Sequence, residues 1–271
     1  MPLALEPIRR MRGGAQAQLM RCADGGYYVV KFQNNPQGVR ILANELLATR
    51  IAERLGLPVP PPAVVEVRDA LIVNTEDMVI QLGRGRVPCK AGLQFGSRYP
   101  GSPAETAVYD FVPEEALRLV KNVRDFCGML VFDKWTCNTN GRQAIFFRRS
   151  GEERYEAQMI DNGFCFNAGE WNFPDAPLRG LYARHRVYEA VRGIDSFEPW
   201  LSRVDKMDEP ALGEMAGEIP PEWYGSSFDA LEKMVQKLAR RRTLVRELII
   251  SAWRSSVQPF PFWNQQEQRH A

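Results

Sequence analysis

The chain has 271 residues, enough for one large domain or two lobes sharing a cleft. Hydrophobic residues make up 45% and charged residues 25%, and the formal net charge is +2, which suits a soluble globular protein and argues against a dedicated nucleic-acid binder. No apolar run reaches the roughly 18 residues of a membrane span, and Met1-Pro2-Leu3-Ala4-Leu5-Glu6 does not lead from a basic segment into a long apolar core, so neither membrane insertion nor a secretory signal is expected.

In chain order, the front of the sequence reads as strands. Leu19–Cys22 and Tyr27–Phe32 flank Ala23-Asp24-Gly25-Gly26, a hairpin signal. A polar loop leads to a helix from about Val39 to Leu55, stopped by Gly56 with Pro58 just beyond. Ala63–Val67, Leu71–Val73 and Leu93–Phe95 read as further strands, and Ser97–Pro103 as a connector. Past it the pattern turns helical. Pro113 to about Trp135 carries an apolar stripe, strands are expected at Gln143–Phe147 and Gln158–Ile160, and a long helical pattern runs from Ser227 to Trp253. Phe260, Phe262 and Trp263 in the tail are expected to dock on the body of the protein. The architecture implied is α+β, a strand-rich front half and a helix-rich back half with a cleft between them.

Cys22, Cys89, Cys127, Cys137 and Cys165 are odd in number, scattered and without a C-x-x-C pair, which suits free thiols in a reducing, cytoplasmic setting. His185 and His270 lie in a basic stretch and a polar tail, so histidine-centred catalysis has few candidates. The basic cluster Lys237 to Arg242 reads as the solvated face of an amphipathic helix.

Four features could carry chemistry. Strand alternation puts Tyr28, Val30 and Phe32 on one face and Tyr27, Val29 and Lys31 on the other, so Lys31 faces a cleft or solvent; alone, it is an ordinary exposed strand lysine. Glu45 shares a helix face with Ile41, Ala48, Ala52 and Leu55. It either reaches water at the edge of that face or needs a buried cation, for which Lys31 is the candidate. Gly13-Gly14 can form an anion-binding nest of amides or a plain turn. Asp161-Asn162-Gly163 closes an apolar strand; it is a β-turn or a loop whose aspartate reaches a divalent metal, and the apolar Phe164-Cys165-Phe166 after it favours a packed loop.

In this order the four resemble the ATP-handling set of a protein-kinase-like fold: glycine loop, strand lysine, helix glutamate and Asp-x-Gly. The helix-to-strand loop from Phe132 to Gln143 is where such a fold carries its catalytic aspartate. Asp133 and Asn138 have the five-residue spacing of a base and a metal-binding amide, although Asp133 also reads as a plain helix-end carboxylate.

Tyr28-Val29-Val30-Lys31-Phe32, Asn44-Glu45-Leu46-Leu47-Ala48 and Leu55-Gly56-Leu57-Pro58-Val59-Pro60 make the chain similar to the HipA-like kinase family over nearly its whole length. The resemblance implies a two-lobed kinase-like fold, with an N-lobe over residues 1–98 and a C-lobe over 99–271. It also implies ATP and Mg2+ as cofactors, a protein Ser/Thr substrate, and adenine contacts from the backbone near Phe95 and Ser97. Asp161 matches the family's metal-binding strand-end aspartate. The family's catalytic loop reads approximately Thr-Asp-x-His-x-x-Asn; here it matches Thr139-Asn140-Gly141-Arg142-Gln143-Ala144-Ile145. Asn140 therefore stands where the base is expected and Ile145 where a metal-binding amide is expected, leaving Gln143 or Asn138 to supply a metal oxygen and Asp133 as a substitute base. An active kinase and a nucleotide-binding pseudokinase both fit this pattern.

Overall fold

The computed structural model describes residues 1–263; His270 lies outside them. The elements run β1 (Ala4–Arg10), β2 (Gln18–Cys22), β3 (Tyr27–Lys31), α1 (Arg40–Arg54), β4 (Pro62–Val67), α2 (Asp69–Val73), β5 (Val79–Leu82), β6 (Gly85–Pro88), β7 (Gly92–Arg98) and β8 (Thr106–Tyr109). They continue with α3 (Asp125–Thr136), β9 (Gln143–Arg149), β10 (Glu156–Ile160), α4 (Trp200–Asp205), α5 (Glu209–Ala216), α6 (Phe228–Arg241) and α7 (Val245–Trp253). A five-stranded antiparallel sheet is ordered β1-β2-β3-β7-β4. A three-stranded sheet β10-β9-β8 lies in the second half, and β5-β6 form a separate hairpin.

The predicted alternation in β3 holds. Tyr28, Val30 and Phe32 are buried, packing in a small core with Met20, Val65 and Ile80. Lys31 is opposite Phe95 in the β3–β7 register and so shares its face of the sheet, the face that meets α1. Helix α1 stops where expected. Gly56 is left-handed (φ +69°), its N–H bonds to the Glu53 carbonyl and that of Leu57 to Ala52, a Schellman cap. The helix is not one-faced, however: the run Ile41–Thr49 is buried throughout, because α1 lies between the sheet and the helical half. A carboxylate anywhere on this stretch must find a partner.

Several expectations change. Leu71–Val73 is part of α2 rather than a strand; an apolar run this short carries no decisive period. The single helix expected from Pro113 to Trp135 is broken into a 3-10 turn, Glu114–Leu119, and α3. Between them Val120 is extended and bridges Tyr155, and the Lys121 N–H bonds to the Tyr155 carbonyl. Strand β7 continues through Ser97 and Arg98, so the connector begins only after them. Arg241 is not solvated: it is buried, forks onto Asp175 at 2.7 and 2.9 Å and donates to the Trp135 carbonyl. Two of the three tail aromatics dock as expected, with Trp263 stacked 4.9 Å from Trp253 and both Phe260 and Trp263 buried, whereas Phe262 is exposed. All five cysteines are free and buried, and no described helix is long and apolar enough to cross a membrane.

Candidate active site

Lys31, Glu45 and Asp161 meet although 130 residues separate the first from the last. The Lys31 ammonium donates to Glu45 Oε1 and, at 2.6 Å, to Asp161 Oδ1. Glu45 uses its second oxygen to accept the Asn162 backbone N–H at 3.0 Å. One helix carboxylate thus fixes both the strand lysine and the loop after β10. Burial by itself would favour neutral Lys31, but the two carboxylates outweigh it and hold its pKa above the ordinary lysine value. Asp161 is half-buried, which alone would raise its pKa, yet the lysine holds it below the ordinary carboxylate value, while burial pushes that of Glu45 up. One cation against two carboxylates leaves the ionised cluster one negative charge in excess.

The Asp161-Asn162-Gly163 loop is packed rather than a surface turn. Asp161 is left-handed (φ +62°), a conformation an aspartate holds only where its surroundings enforce it. Asn162 is buried; its Nδ2 donates to Thr49 at 3.0 Å and its Oδ1 accepts from Arg142 at 3.1 Å. A Cβ on Gly163 would stand 2.5 Å from Ile41 Cγ2, so only glycine lets the loop approach α1 this closely. Asn44, next to Glu45 on α1, donates to the Gly163 and Ala168 carbonyls at 2.8 and 2.6 Å and accepts from Trp171 Nε1 at 2.8 Å. Nothing in the sequence assigned Asn44, Trp171 or Arg142 a role. The only signal was the Asn44-Glu45 pair inside a helix that proves to be buried.

The α3–β9 loop is arranged around a different ion pair. Asp133 is fully buried, and Arg142 forks onto it through Nε at 2.8 Å and Nη2 at 2.5 Å. Asn138 Nδ2 adds a third donor at 2.9 Å. Both carboxylate oxygens of Asp133 are therefore committed inside the protein, with none directed at a substrate. Asn138 is also fully buried, and its Oδ1 accepts the Asn140 N–H at 3.1 Å, so its amide organises the loop. Gln143 does reach the cluster: its Nε2 donates to Asp161 Oδ2 at 2.8 Å. Asn140 lies at the half-exposed turn of the same loop, where its Oδ1 accepts the Gly141 N–H at 2.9 Å.

Phe95 and Ser97 lie in β7, which is paired with β3 on one side and β4 on the other. Their backbone groups belong to the sheet, and the unpaired linker starts after Tyr99, whose N–H still bonds to Tyr27. Gly13 and Gly14 form the turn between β1 and β2, with Gly13 at φ +119°. That turn is tied down by Gln16, whose side-chain amide exchanges two 2.8 Å hydrogen bonds with the Gln81 backbone. A cavity of about 180 Å3 beside the cluster is lined by Asp110, Arg142, Gln143, Ala144, Ile160 and Tyr182. A larger one, about 500 Å3, lies between α5 and α6 and includes none of these residues, so the chemistry and not the cavity size locates the site.

Comparison with solved structures finds this architecture in kinases. Hydra Fam20, solved with sugar, matches over 94% of this chain and 87% of its own, with a TM-score of 0.58 and 11% identity. The Helicobacter pylori proinflammatory kinase CtkA matches over 93% of this chain and 96% of its own (TM-score 0.53, 12% identity). The Golgi casein kinase with Mn/ADP bound matches over 93% and 75% (TM-score 0.50, 11% identity). At such identities the likeness is one of fold. No curated protein sequence matches the chain. The HipA-like kinase family model matches residues 5–164, a shorter stretch than the resemblance suggested but one that spans the glycine turn, Lys31, Glu45, the α3–β9 loop and Asp161. By that match over more than half its length, the chain belongs to the HipA-like kinase family.

Proposed function

We propose that this protein is an ATP- and Mg2+-dependent kinase acting on protein serine or threonine hydroxyls, with its nucleotide cleft between residues 1–98 and 99–271. The observation that carries the reading is the Lys31 ammonium held between Glu45 and Asp161. In this reading Lys31 donates to phosphate oxygens, Glu45 holds the lysine in place, and the Gly13-Gly14 turn brings backbone amides towards the phosphates. The Phe95 and Ser97 backbones are occupied, so the adenine contacts belong to the linker that follows Tyr99.

The donor set suits magnesium. Asp161 offers a carboxylate and Gln143 an amide oxygen on the edge of a cluster with net negative charge. No described group of three His, Cys, Asp or Glu side chains could hold a metal alone, and magnesium needs none when phosphates and water complete its shell. Bound there, the ion would neutralise charge on the transferring phosphoryl group.

The reading predicts transfer from labelled ATP, to the chain itself or to a protein acceptor, that disappears in Lys31→Ala and in Asp161→Ala. Absence of transfer by well-folded protein would refute it. The amide at Asn140 and the internally committed Asp133 support a second reading, a nucleotide-binding pseudokinase. It predicts nucleotide-dependent stabilisation of about 2.7 kcal/mol at a hundredfold excess over Kd, with no turnover.

A further inference from the structure

We infer that Asn140-Gly141 is a site of spontaneous backbone-assisted deamidation, which converts the amide at position 140 into a carboxylate on the α3–β9 loop. The consequence for activity rests on the kinase reading above; the modification itself does not.

The chain contains two Asn-Gly dipeptides, and the fold treats them oppositely. At the first, the Gly141 N–H points at the Asn140 side chain, 2.9 Å from Oδ1, which sets the nitrogen beside the carboxamide carbon one bond away. Neither residue belongs to a helix or strand, Gly141 is exposed, and a Cβ built on it meets nothing within 4 Å. The Asn140 Nδ2 makes no hydrogen bond within the described residues, whereas its backbone N–H is held by Asn138. The reacting groups are adjacent, the leaving nitrogen is free and water has access.

At the second, Asn162 is 2% exposed. Thr49 holds its Nδ2, Arg142 its Oδ1 and Glu45 its backbone N–H, while Ile41 crowds Gly163. The same dipeptide in the same chain is thus an internal control.

The chemistry needs only water. The Gly141 nitrogen loses its proton and attacks Cγ of Asn140; the N–Cγ bond forms, the Cγ–Nδ2 bond breaks, and ammonia leaves carrying the proton. Water then opens the five-membered imide. Opening at Cγ regenerates the normal peptide bond with an aspartate side chain; opening at the main-chain carbonyl gives the β-linked isomer. Nothing is oxidised or reduced. Asn140 lies three residues before Gln143, which touches Asp161, so the new carboxylate arises on the loop that adjoins the Lys31 cluster. There it supplies the proton acceptor that an amide cannot be.

The test compares fresh full-length chain with chain incubated in mildly alkaline buffer, by peptide mapping and by labelled-ATP transfer. The peptide carrying Asn140 gains about one mass unit, partly as normal aspartate, and that carrying Asn162 does not. Transfer rises with the normal-aspartate fraction, N140D shows it at once at about 100-fold or more over fresh wild type, and Gly141→Ala, which has open space for its methyl group, stays unconverted and slow. An unconverted peptide, conversion to the β-linked form alone, or equal activation of Gly141→Ala overturns the inference. If fresh wild type transfers phosphate in that case and Lys31→Ala does not, the kinase reading stands. If position 140 converts but neither aged protein nor N140D transfers more than Lys31→Ala, the activating role and the kinase reading fall together.

Discussion

Asp133→Asn tests whether that carboxylate builds the loop or performs the chemistry. In the native protein the Arg142 side chain is 1% exposed, and among the described residues Asp133 is its only carboxylate partner. The substitution keeps the shape and one acceptor oxygen but removes the charge. Arg142 keeps only the Ile160 carbonyl, at 2.7 Å, and Asn162 Oδ1 as further acceptors. Breaking a buried pair from one side costs about 3–5 kcal/mol, because the remaining charge is uncompensated. At about 2–4 °C per kcal/mol for a chain approaching this size, Tm should fall by about 6–20 °C. The damage should spread to the cluster, since Arg142 also supports Asn162 beside Asp161. Asp133→Leu combined with Arg142→Met removes both charges and should recover most of the loss. Thermal and urea denaturation read these differences directly. A Tm for Asp133→Asn within about 2 °C of wild type, with phosphate transfer abolished, would refute the structural assignment and make Asp133 the base.

Burial pushes Lys134 down to about 8, with the Ala176 and Pro177 carbonyls as its acceptors among the described residues. The unfolded chain therefore binds the extra proton between about pH 8 and 10.5, and this lysine makes stability rise with pH there by up to about 3 kcal/mol. Urea midpoints measured against pH should show that rise in wild type relative to Lys134→Met; superimposable profiles would contradict it. Trp263→Ala empties a site packed against Trp253, Phe197 and Phe260 and should cost about 3–5 kcal/mol by thermal denaturation; a loss under about 1 kcal/mol would mean the tail is not docked. Gly163→Ala drives a methyl group into Ile41 and should cost about 1–3 kcal/mol while weakening stabilisation by ATP. Adding Ile41→Ala makes room, so the double variant should be less destabilised than the sum of the two; strict additivity would place the strain elsewhere.

Local patterns were legible wherever one periodicity dominated. The β2–β3 hairpin, the α1 stop at Gly56 and the alternation that turns Lys31 to one face all follow from period, cap and turn chemistry. Strand β1 was missed: it is an edge strand, carries Pro7, and pairs through two irregularities in register. Strands β5, β6 and β8 are four residues each and give too few alternations to read. The break before α3 was hidden because an apolar stripe persists across Val120 and Val123, although Val120 is extended.

By itself the sequence determined the local pieces of the site: a lysine on the open face of a strand, a glutamate on a helix, an Asp-Asn-Gly at a strand end, and an amide where the matching family motif has an acid. Only the tertiary structure decided which charges pair. Glu45 binds Lys31 instead of reaching water because the Ile41–Thr49 run of α1 is buried throughout, and a buried carboxylate needs a cation. Asp133 is taken by Arg142, nine residues away, because Asp133 in the last turn of α3 and Arg142 just before β9 are both buried, out of reach of solvating water. Residue type and spacing fix which charges a chain carries; solvent exclusion, which depends on the whole fold, fixes which partner each must take.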